Sequence, residues 1–510
     1  MSPRRVVITL VALMAVLVVA TVVVVLVVTR DDPGPAPKAT GEKAPDGLAR
    51  FYDQKLTWKD CDDAQCTWIR VPVDYDEPEG ETVRLRAVRY PAKGGGSKAL
   101  FVNPGGPGGS AVDFAGTIES RFDGDVRDEY AVVGVDPRGV GLSTPVECLG
   151  DAAFDRYVAA DPTPDDAAER RAFAASNAAF GKDCLANTPR GLAAHVSTEE
   201  AARDMDVARA LLGQQKLDWF GASYGTQLGA TYATLFPKKV GRMILDGATD
   251  PSQGPIDSAL GQAEGFQSAL EAYAKDCVQR EGCPLGSDPD AGLKKLSGLT
   301  DSLDDQPLST GTKRELTEGR AFYGIAVTLY DQQTWPVLTQ ALTAAFRGDG
   351  SVLLKLNDAY FDRKPDGSYS GNIGQVINAV SCLDTTDRPS VGDVQKALPR
   401  FEKVSPVFGR TLAYGASTCA QWPAPAVHPQ PALDAKGSAP IIVMGTTNDP
   451  ATPYRYAPKM AKALGTGVLV TREGEGHTAF TSGNRCIVDI VNRFYVDGDV
   501  PKDGTTCKAD

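Results

Sequence analysis

A short apolar segment that runs directly into a glycine-flanked serine constrains the fold of this chain more than any other feature. Residues 217–220 are typical of a buried strand, and residues 221–225 read Gly-Ala-Ser-Tyr-Gly. The pattern G-x-S-x-G after a strand predicts a tight strand-to-helix turn that exposes the serine hydroxyl. Glycine is expected on both sides because a Cβ would clash in so crowded a turn. Ser223 is therefore the first candidate functional residue.

Five further short apolar runs predict more strands of the same kind. Uninterrupted runs of this length suit strands that are buried on both faces of a parallel sheet. Helical patterns lie between several of them, and one begins at a capping box of Ser197 and Glu200 and ends at Gly213. This alternation predicts a doubly wound α/β fold, with a mostly parallel sheet and helices on both faces. The runs are 99–102, 131–135, 242–245, 440–444 and 468–471.

Two earlier segments, 67–75 and 82–90, alternate apolar and polar residues. Such alternation predicts half-buried strands, and the turn residues at 77–80 between them predict an antiparallel pair.

Composition divides the 510 residues into five segments. The strand pattern stops near residue 250 and resumes near 438, and the intervening residues have mostly helical patterns. Parallel sheets tolerate insertions in their loops, so this part is interpreted as a helical cap over the site. The segments are a membrane anchor or signal at 1–30, a flexible linker at 31–48, the first part of the core at 49–250, the cap at 251–437 and the rest of the core at 438–510.

The N-terminal segment has the length and composition of a membrane span. The run 6–28 is apolar except for two threonines, and Arg4 and Arg5 precede it. A helix of this length reaches roughly 34 Å, slightly more than the ~30 Å hydrocarbon core. The run exceeds an ordinary signal peptide and no clear cleavage motif follows, so an uncleaved anchor is favoured over a cleaved signal. The preceding positive charge places the catalytic part outside the membrane, or in the medium if the segment is cleaved.

Cysteine content and charge narrow the class of protein. Ten cysteines, an even number, suit an oxidising compartment. Pairing sequence neighbours gives five plausible bridges, with Cys61–Cys66 and Cys277–Cys283 the best supported, although the connectivity stays open. No C-x₂-C pair occurs and only three histidines are present, which argues against a zinc site, and no metal is expected. The net charge of −12 argues against nucleic-acid partners.

An acid and a histidine follow Ser223 in the order that an activated serine needs. Asp449 follows the predicted strand 440–444, and His477 follows the predicted strand 468–471. Open α/β sheets place their sites beyond the carboxyl ends of the strands. Serine, acid and histidine is the chain order of α/β-hydrolases, in which histidine takes the serine proton and the acid orients the imidazole.

The other candidates for these two roles are less well placed. His195 lies beside the capping box at Ser197, and His428 lies in a proline-rich segment, so both are interpreted as structural. Asp434 and Asp489 are the rivals of Asp449, but neither combines a position after a strand with one before His477.

A glycine-rich segment supplies candidate donors for an oxyanion. Residues 103–110, NPGGPGGS, follow the predicted strand 99–102. Glycines allow a backbone N–H to approach a developing negative charge without obstruction by side chains. The expected donors are the amides of Gly106 and of Tyr224, which follows the nucleophile. A phosphate-binding loop is excluded because the segment has no G-K-[ST] sequence.

Taken together, these motifs resemble the tripeptidyl aminopeptidase branch of the proline iminopeptidase-like serine peptidases. The resemblance extends from about residue 50 to residue 510. It implies an α/β-hydrolase core with a helical cap, no cofactor, and removal of short peptides, often tripeptides, from the free N-termini of peptide substrates. The matching segments are NPGGPGGS at 103–110, VDPRGVGLS at 135–143, GASYGTQLGATYATLFP at 221–237, LDGATDP at 245–251 and the blocks around Asp449 and His477.

Three further residues receive expected roles in this context. Arg138 matches the family's D-x-R-G-x-G-x-S segment and is expected to brace carbonyls of the oxyanion loop. Thr452 matches a family position near the triad and is expected to hold the acid loop. An exopeptidase also needs an anion for the substrate's α-ammonium group, and Asp384 is the candidate.

Two other functions stay open on the sequence. An esterase or lipase would use the same triad, because fold and triad alone do not separate amide from ester substrates. A hydrolase scaffold that serves only for binding is the third alternative, although such scaffolds usually lose a triad member.

Overall fold

A computed structural model of the chain describes residues 37–509. The predicted anchor at 1–30 lies outside the described residues, as does the first part of the predicted linker. Within residues 37–509, no helix is both long enough and apolar enough to cross a bilayer.

Ten strands in the described part form one mixed sheet with the order β1-β2-β3-β5-β4-β6-β7-β8-β9-β10. The pairs β1–β2, β2–β3 and β3–β5 are antiparallel, and every pair from β5 to β10 is parallel. The α/β-hydrolase prediction is thereby confirmed. The strands are Lys59–Cys61, Ala64–Pro72, Thr82–Tyr90, Lys98–Asn103, Tyr130–Val135, Leu217–Ala222, Val240–Asp246, Ile441–Asn448, Gly467–Glu475 and Thr505–Cys507.

The predicted antiparallel pair is present with a shifted first strand. β2 begins and ends three residues before the predicted 67–75, and it pairs with β3 so that Pro72 lies opposite Thr82. One further backbone hydrogen bond follows this pair, from the amide of Val73 to the carbonyl oxygen of Glu81 at 2.9 Å. The edge strands β1 and β10 have three residues each, too few to show any periodicity in the sequence.

Side chains on alternate sides of each central strand enter two separate apolar cores. In β4, Ala99 and Phe101 belong to the core on one face, whereas Leu100 and Val102 belong to the core on the other. This period of two explains why the strands appear as continuous apolar runs. The helices of the sheet domain are α1 (Ala49–Tyr52), α2 (Ala111–Ile118), α3 (Gly124–Glu129), α4 (Asp151–Val158), α5 (Ala167–Asn187), α6 (Thr198–Leu211), α7 (Tyr224–Leu235), and, after the cap, α16 (Tyr456–Leu464) and α17 (Arg485–Val496).

Eight helices between β7 and β8 form the cap. The first five share an apolar core of their own, whereas the sixth, which carries Val376 and Leu383, packs into one of the two cores of the sheet. Helices α4 and α5 precede β6 in the chain yet pack against the cap, since Phe154 contacts Phe361 and Phe173 contacts Tyr414. The cap therefore rests on helices from the first part of the core. Its helices are α8 (Pro255–Cys277), α9 (Pro289–Asp305), α10 (Glu318–Ala326), α11 (Trp335–Ala345), α12 (Ser351–Tyr360), α13 (Ile373–Asp384), α14 (Val391–Val404) and α15 (Gly409–Gly415).

All ten cysteines are paired in five disulfides, each between neighbours in the sequence. The structure thus has the pairing of sequence neighbours that was plausible from the sequence alone, which left the connectivity open, and the prediction of disulfide bonds is confirmed. The bridges are Cys61–Cys66, Cys148–Cys184, Cys277–Cys283, Cys382–Cys419 and Cys486–Cys507.

Candidate active site

Ser223 lies in the tight turn between β6 and α7. Its backbone has φ 54° and ψ −126°, a left-handed conformation that a residue with a side chain rarely adopts. The turn leaves no room at its first glycine, because a Cβ on Gly221 would lie 2.2 Å from the carbonyl oxygen of Gly225. The chain therefore lifts the serine out of the sheet at the carboxyl end of a central strand, as the motif predicts.

The glycine-rich segment after β4 lies directly against this turn. A Cβ on Gly105 would be 2.8 Å from the Cβ of Ser223 and 2.8 Å from the amide nitrogen of Tyr224. The segment is held by its own strand, since the amide of Gly105 donates to Asn103 Oδ1 at 3.0 Å. Gly106, the first predicted oxyanion donor, is the next residue along the segment.

The second predicted donor, the amide of Tyr224, belongs to the first residue of α7. Amides in the first turn of a helix have no intrahelical acceptor and carry the positive end of the helix dipole. An oxyanion formed on a substrate at Ser223 would therefore lie beside an amide that is available to donate.

Asp449 and His477 are in direct contact. His477 Nδ1 lies 2.8 Å and 2.9 Å from the two carboxylate oxygens of Asp449. The carboxylate is further held by the amides of Ala451, Thr452 and Thr478, at 2.9, 2.8 and 3.1 Å. The predicted acid is thus fixed in its loop, and it holds the Nδ1 edge of the imidazole.

Thr452, which was expected to hold the acid loop, lies beside Asp449 and His477. Its hydroxyl donates to Asp449 Oδ2 at 3.0 Å and lies 3.4 Å from His477 Nδ1. The side chain therefore helps to hold the acid loop against the histidine.

The pKa of His477 is raised above its ordinary value of 6.5. Burial alone would lower the pKa, because a low-dielectric surrounding disfavours the imidazolium ion. The charge of Asp449 and the hydrogen bond to it outweigh burial, and the charge of Asp246 adds to them. The site therefore favours the protonated imidazole, which is the form that arises when a base takes the serine proton.

Ser223 and His477 both lie close to the two-residue segment made of Asp246, the last residue of β7, and Gly247, which follows it. The amide of Ser223 donates to the carbonyl oxygen of Asp246 at 2.9 Å. A Cβ on the next residue, Gly247, would lie 3.4 Å from His477 Cε1. Within the described residues no hydrogen bond joins the Ser223 hydroxyl to the imidazole. Such contacts in free enzymes often shorten only when substrate binds.

The structure adds one residue that the sequence reasoning missed. The side chain of Asp246 is fully buried, and its carboxylate accepts from the amides of Ala479 and Phe480 at 2.7 and 2.8 Å. Those amides follow the histidine loop, while the carbonyl of the same residue holds Ser223. Burial raises the pKa of Asp246 to about 6. The sequence did offer a signal for this residue, since Asp246 lies in the segment LDGATDP at the end of a predicted strand.

Arg138 has partners other than those expected. Its guanidinium forms two hydrogen bonds with Asp204, at 2.8 and 2.7 Å, and donates to the carbonyls of Pro72, Val73 and His195. Its contacts therefore fix the loops behind the oxyanion segment rather than the carbonyls of that segment. The physical reason is the buried carboxylate of Asp204 on α6, whose geometry matches the guanidinium.

Asp384 is not free to bind a substrate amine. It accepts from the amide and the hydroxyl of Thr198, at 2.7 and 2.6 Å, and from Gln227 Nε2 at 2.9 Å. The Thr198 hydroxyl also lies 2.6 Å from the Tyr224 hydroxyl. Burial raises the pKa of Asp384 to about 7. These contacts join the end of α13 to α6 and to α7, the helix that begins beside the nucleophile. The Asp384 carboxylate is therefore occupied, and the substrate's α-ammonium group would need another acid.

The cap contributes directly to the placement of the histidine. The amide of His477 donates to the carbonyl oxygen of Tyr330 at 2.8 Å, and the Tyr330 ring meets the imidazole edge-on at 5.2 Å between centroids. The imidazole is therefore held by an acid of the core on one side and by the cap on the other.

Together these residues have the chemical capacity for acyl transfer. A serine hydroxyl in a strained turn, a histidine fixed by a buried carboxylate, and amides beside the serine are the parts that such a reaction requires. Asp449, His477 and Ser223 follow three neighbouring or nearly neighbouring strands of the parallel sheet, at their carboxyl ends.

Comparison with known proteins gives several similar chains. A family model described as TAP-like protein matches residues 405–507. Serine protease Hip1 of Mycobacterium tuberculosis is 37% identical over 490 residues, which cover 90% of this chain and 93% of that protein. Carboxylesterase B of the same species is 39% identical over 456 residues, covering 87% of this chain and 86% of that protein.

A tripeptidyl aminopeptidase of Streptomyces lividans is also similar, with 29% identity over 479 residues that cover 90% of this chain and 88% of that protein. These three matches extend over nearly the whole chain, so they include the sheet and the cap together.

Proposed function

Because this chain belongs to the TAP-like family of α/β-hydrolases, we propose that it is an exported serine aminopeptidase that releases short peptides, including tripeptides, from free N-termini. The protein is a serine hydrolase, and the proposal concerns which bond it cleaves and where. The observation that carries it is the contact of His477 with Asp449 beside the Ser223 turn, beneath a helical cap.

The residues assign the steps of the reaction. The Ser223 hydroxyl attacks the carbonyl carbon of the scissile bond, and its proton passes to Nε2 of His477. Asp449 holds the Nδ1–H of the imidazolium ion, and the amides of Gly106 and Tyr224 donate to the oxyanion. His477 then gives its proton to the leaving amine as the C–N bond breaks. Water, deprotonated by the same imidazole, hydrolyses the acyl-enzyme and restores the serine.

The cap supports action at chain ends. It covers the carboxyl edge of the sheet and contacts the catalytic histidine through Tyr330. A covered site admits the end of a chain more readily than the middle of a folded one. Peptides with a free N-terminus are therefore the proposed substrates, with no metal or organic cofactor.

An esterase is the second candidate, supported by the 39% identity to a protein named carboxylesterase B. The same acyl-enzyme would form from an ester, with an alcohol as the leaving group in place of an amine. Both substrates need the same imidazole as base and then as acid, so they are separated by the substrate comparison described below.

The first experiment labels the purified protein with a fluorophosphonate. We expect labelling of the native protein and none of Ser223→Ala, with kcat for any substrate reduced on the order of 10⁵-fold or more in that variant. Equal labelling of both proteins would contradict the assignment of Ser223. Absence of labelling in both would favour a role in binding alone.

The second experiment compares substrates. Tripeptide p-nitroanilides with a free amine, their N-acetylated forms and short p-nitrophenyl esters are assayed side by side. An aminopeptidase hydrolyses the first class with the highest kcat/KM. A protein that hydrolyses only the esters is an esterase, and the peptide proposal is then wrong.

We also propose that the N-terminal segment tethers the enzyme to the cell membrane, with the catalytic part outside. The apolar run 6–28 and five disulfides support an exported, membrane-attached protein. Protease added to intact cells should degrade the enzyme, and alkaline carbonate should leave it in the membrane fraction. Protection from protease, or recovery in the cytoplasmic fraction, would contradict this placement.

A further inference from the structure

The sixth helix of the cap, α13, lies beside both chain segments that carry the expected oxyanion donors. At its beginning, a Cβ on Gly108 of the glycine-rich segment would lie 3.1 Å from the Cα of Ile373. At its end, the carboxylate of Asp384 accepts from Thr198, whose hydroxyl lies 2.6 Å from that of Tyr224. The two donor segments therefore share one neighbouring helix.

The side chain of Tyr224 is held by one hydrogen bond. Tyr224 is only 7% exposed, and within the described residues the Thr198 hydroxyl is the one hydrogen-bond partner of its phenol group. A buried hydroxyl that loses its partner keeps the full cost of its removal from water. This bond therefore fixes the ring of the residue whose backbone amide is an expected oxyanion donor.

The carboxylate of Asp384 sets the direction of the hydrogen bonds. Its Oδ1 accepts from the Thr198 amide at 2.7 Å, and its Oδ2 accepts from the Thr198 hydroxyl at 2.6 Å and from Gln227 Nε2 at 2.9 Å. A threonine hydroxyl has a single proton to donate. Because that proton goes to Asp384, the Thr198 oxygen is left to accept from the Tyr224 hydroxyl. The bonds thus form a directed chain from Tyr224 through Thr198 to Asp384.

The turn that carries Tyr224 leaves little room for a shift. The amide nitrogen of Tyr224 lies 2.8 Å from the position that a Cβ on Gly105 would take, so the glycine-rich segment closely approaches this amide. Misplacement of a reacting group by about 1 Å can cost on the order of 10²-fold in rate. A side chain that moved the first turn of α7 would therefore alter the direction of the N–H at the cost of turnover.

Helix α13 is fixed to the sheet and not to the outer helices of the cap. Val376 and Leu383 lie in a core of the sheet, whereas the first five cap helices have a core of their own. The disulfide Cys382–Cys419 holds the same end of the helix as Asp384. Asp384 is therefore held at a constant position relative to α6 and α7, as a residue that orients an oxyanion donor must be.

We propose that Asp384 is a positioning residue for the oxyanion hole and acts through the Thr198 hydroxyl on Tyr224. The chain of hydrogen bonds fixes the Tyr224 side chain and, with it, the backbone of the turn, so that the Tyr224 amide is directed at the oxyanion. The proposal rests on the donor assignment made under the proposed function. It applies to peptide and ester substrates alike, because both form a tetrahedral intermediate with the same oxyanion.

Tyr224→Phe and Asp384→Asn test the chain by steady-state kinetics. The first retains the amide and the ring and removes only the hydroxyl. The assay is run at pH 8, above the pKa of about 7 of Asp384, with a substrate that the wild-type enzyme hydrolyses. We expect kcat to fall about tenfold in each variant, a part of the 10²–10³-fold that a whole donor contributes. KM should stay within about twofold of wild type, because the interaction is made only in the transition state.

A trifluoromethyl ketone reports on the oxyanion hole directly. The Ser223 oxygen adds to its carbonyl carbon, the serine proton passes to His477, and the former carbonyl oxygen becomes an oxyanion. The inhibition constant should rise about tenfold in both variants, in step with the loss in kcat, because the adduct resembles the transition state. An unchanged inhibition constant, or a rise in KM with kcat unchanged, would overturn the proposal.

Tyr52→Phe is the matched control. Tyr52 is 5% exposed, and its hydroxyl donates to Asp206 Oδ2 at 2.6 Å on the same helix that carries Thr198. Its loss should lower the unfolding temperature as much as Tyr224→Phe does and leave kcat and the inhibition constant at their wild-type values. If Tyr52→Phe lowered kcat equally, the effect would come from loosening of α6, and the positioning role would be wrong.

The double variant Tyr224→Phe/Asp384→Asn tests whether the two residues act through one chain. Residues that act through each other have non-additive effects, so the double variant should be no slower than the slower single variant. Losses in kcat that multiply would overturn the proposal. If Asp384→Asn does not fold, Thr198→Val breaks the same chain and takes its place in both comparisons.

The wild-type enzyme separates this inference from the function on which it rests. If a fluorophosphonate labels Ser223 and the chain variants turn over substrate as fast as wild type, the hydrolase function stands and the role of Asp384 is wrong. If the wild-type protein is not labelled and hydrolyses neither peptides nor esters, both are wrong.

Discussion

Asp246 forms hydrogen bonds both to the turn that carries Ser223 and to the residues just beyond His477. Its carbonyl oxygen accepts from the amide of Ser223, and its carboxylate accepts from two amides just beyond His477. The nucleophile and the base come from loops that are more than 250 residues apart in the chain, so a common partner at the end of β7 keeps their relative position. Asp246 is a positioning residue, since it contacts neither the imidazole nor the hydroxyl.

Asp246→Asn should lower both stability and activity. The amide retains one acceptor for two buried N–H groups, which predicts a loss of about 1–3 kcal/mol in the free energy of unfolding. Loss of its charge should also lower the pKa of His477 and move the acid limb of the kcat/KM profile to lower pH. Asp218→Asn is the matched control, because Asp218 accepts the amide of Arg242 at the opposite end of the sheet. An acid limb that moves equally in both variants would contradict the role.

The raised pKa of His477 predicts the pH dependence of the wild-type enzyme. The imidazole must be neutral to accept the serine proton, so activity is lost as pH falls through its pKa. Because that pKa is above 6.5, kcat/KM should rise with pH with a midpoint above this value. A wild-type midpoint below 6.5 would show that burial outweighs Asp449.

Gly105→Ala should inactivate the enzyme with little effect on its fold elsewhere. The new methyl group would strike the Ser223 Cβ and the Tyr224 amide, both 2.8 Å away. Displacing one oxyanion donor typically costs about 3 kcal/mol of the barrier, so kcat should fall on the order of 10²-fold. Gly95→Ala is the control, since it also has a positive φ but has nothing within 4 Å. Equal effects of the two substitutions would point to backbone strain instead.

At the scale of elements, the sequence predicted best those strands and helices whose formation has one dominant physical cause. Strands β4, β5, β6, β7 and β8 are buried on both faces along most of their length, and their apolar runs show this directly. The helix after Ser197 has its capping box in both the sequence and the structure. The three-residue edge strands gave no pattern, because they are defined by their pairing alone.

The catalytic site was predictable only in part, because a sequence pattern marks a residue only where the cause of its placement is local. Ser223, Asp449 and His477 each stand next to a local motif. The partners of Arg138 lie 57 or more residues away in the chain, and those of the Asp384 carboxylate lie 157 or more residues away. No local sequence pattern indicates such long-range contacts, and the cavity of about 440 Å³ between α4, α5 and the cap is likewise built from distant helices.

The disulfides differ in what they do for these elements. Cys382–Cys419 closes a separation of 37 residues between α13 and the segment after α15, whereas Cys277–Cys283 closes a separation of 6. On chain entropy, replacing both cysteines by alanine should cost about 4 kcal/mol for the first and about 2 kcal/mol for the second. Urea unfolding of the two double variants measures this. The reverse order would mean that strain or residual structure dominates.

For the whole molecule, buried acids determine how stability depends on pH. Folding raises the pKa of Asp136 and Asp246 to about 6 and of Glu318 and Asp384 to about 7. A raised carboxyl pKa contributes stability that is complete below the unfolded value of about 4 and is lost as pH rises through the folded value. The raised pKa of His477 acts in the same direction, with its contribution complete below 6.5.

Paired acids act in the opposite direction at lower pH. Despite burial, Arg314 and its neighbours lower the pKa of Asp155, and Arg209 lowers that of Asp206. Their contribution is present above about 4 and is lost as pH falls below it.

The unfolding temperature should therefore peak near pH 5 and decrease toward pH 8. Differential scanning fluorimetry across this range measures the trend. Asp384→Asn should flatten the decrease, because the neutral amide cannot ionise as pH rises. An unfolding temperature that increases steadily from pH 5 to pH 8 would contradict the account. The enzyme would thus be most active where it is less than maximally stable.

The hydrogen bond from the His477 amide to the Tyr330 carbonyl has a practical consequence for remodelling this enzyme. A chimera whose whole cap, from β7 to β8, came from a homologue would also replace the segment whose carbonyl oxygen accepts from the His477 amide. Turnover could then be lost for a reason unrelated to how well the substrate fits. Junctions that leave the stretch around Tyr330 in place, and exchange only the outer helices, would let selectivity be altered while the proton-transfer geometry is inherited intact.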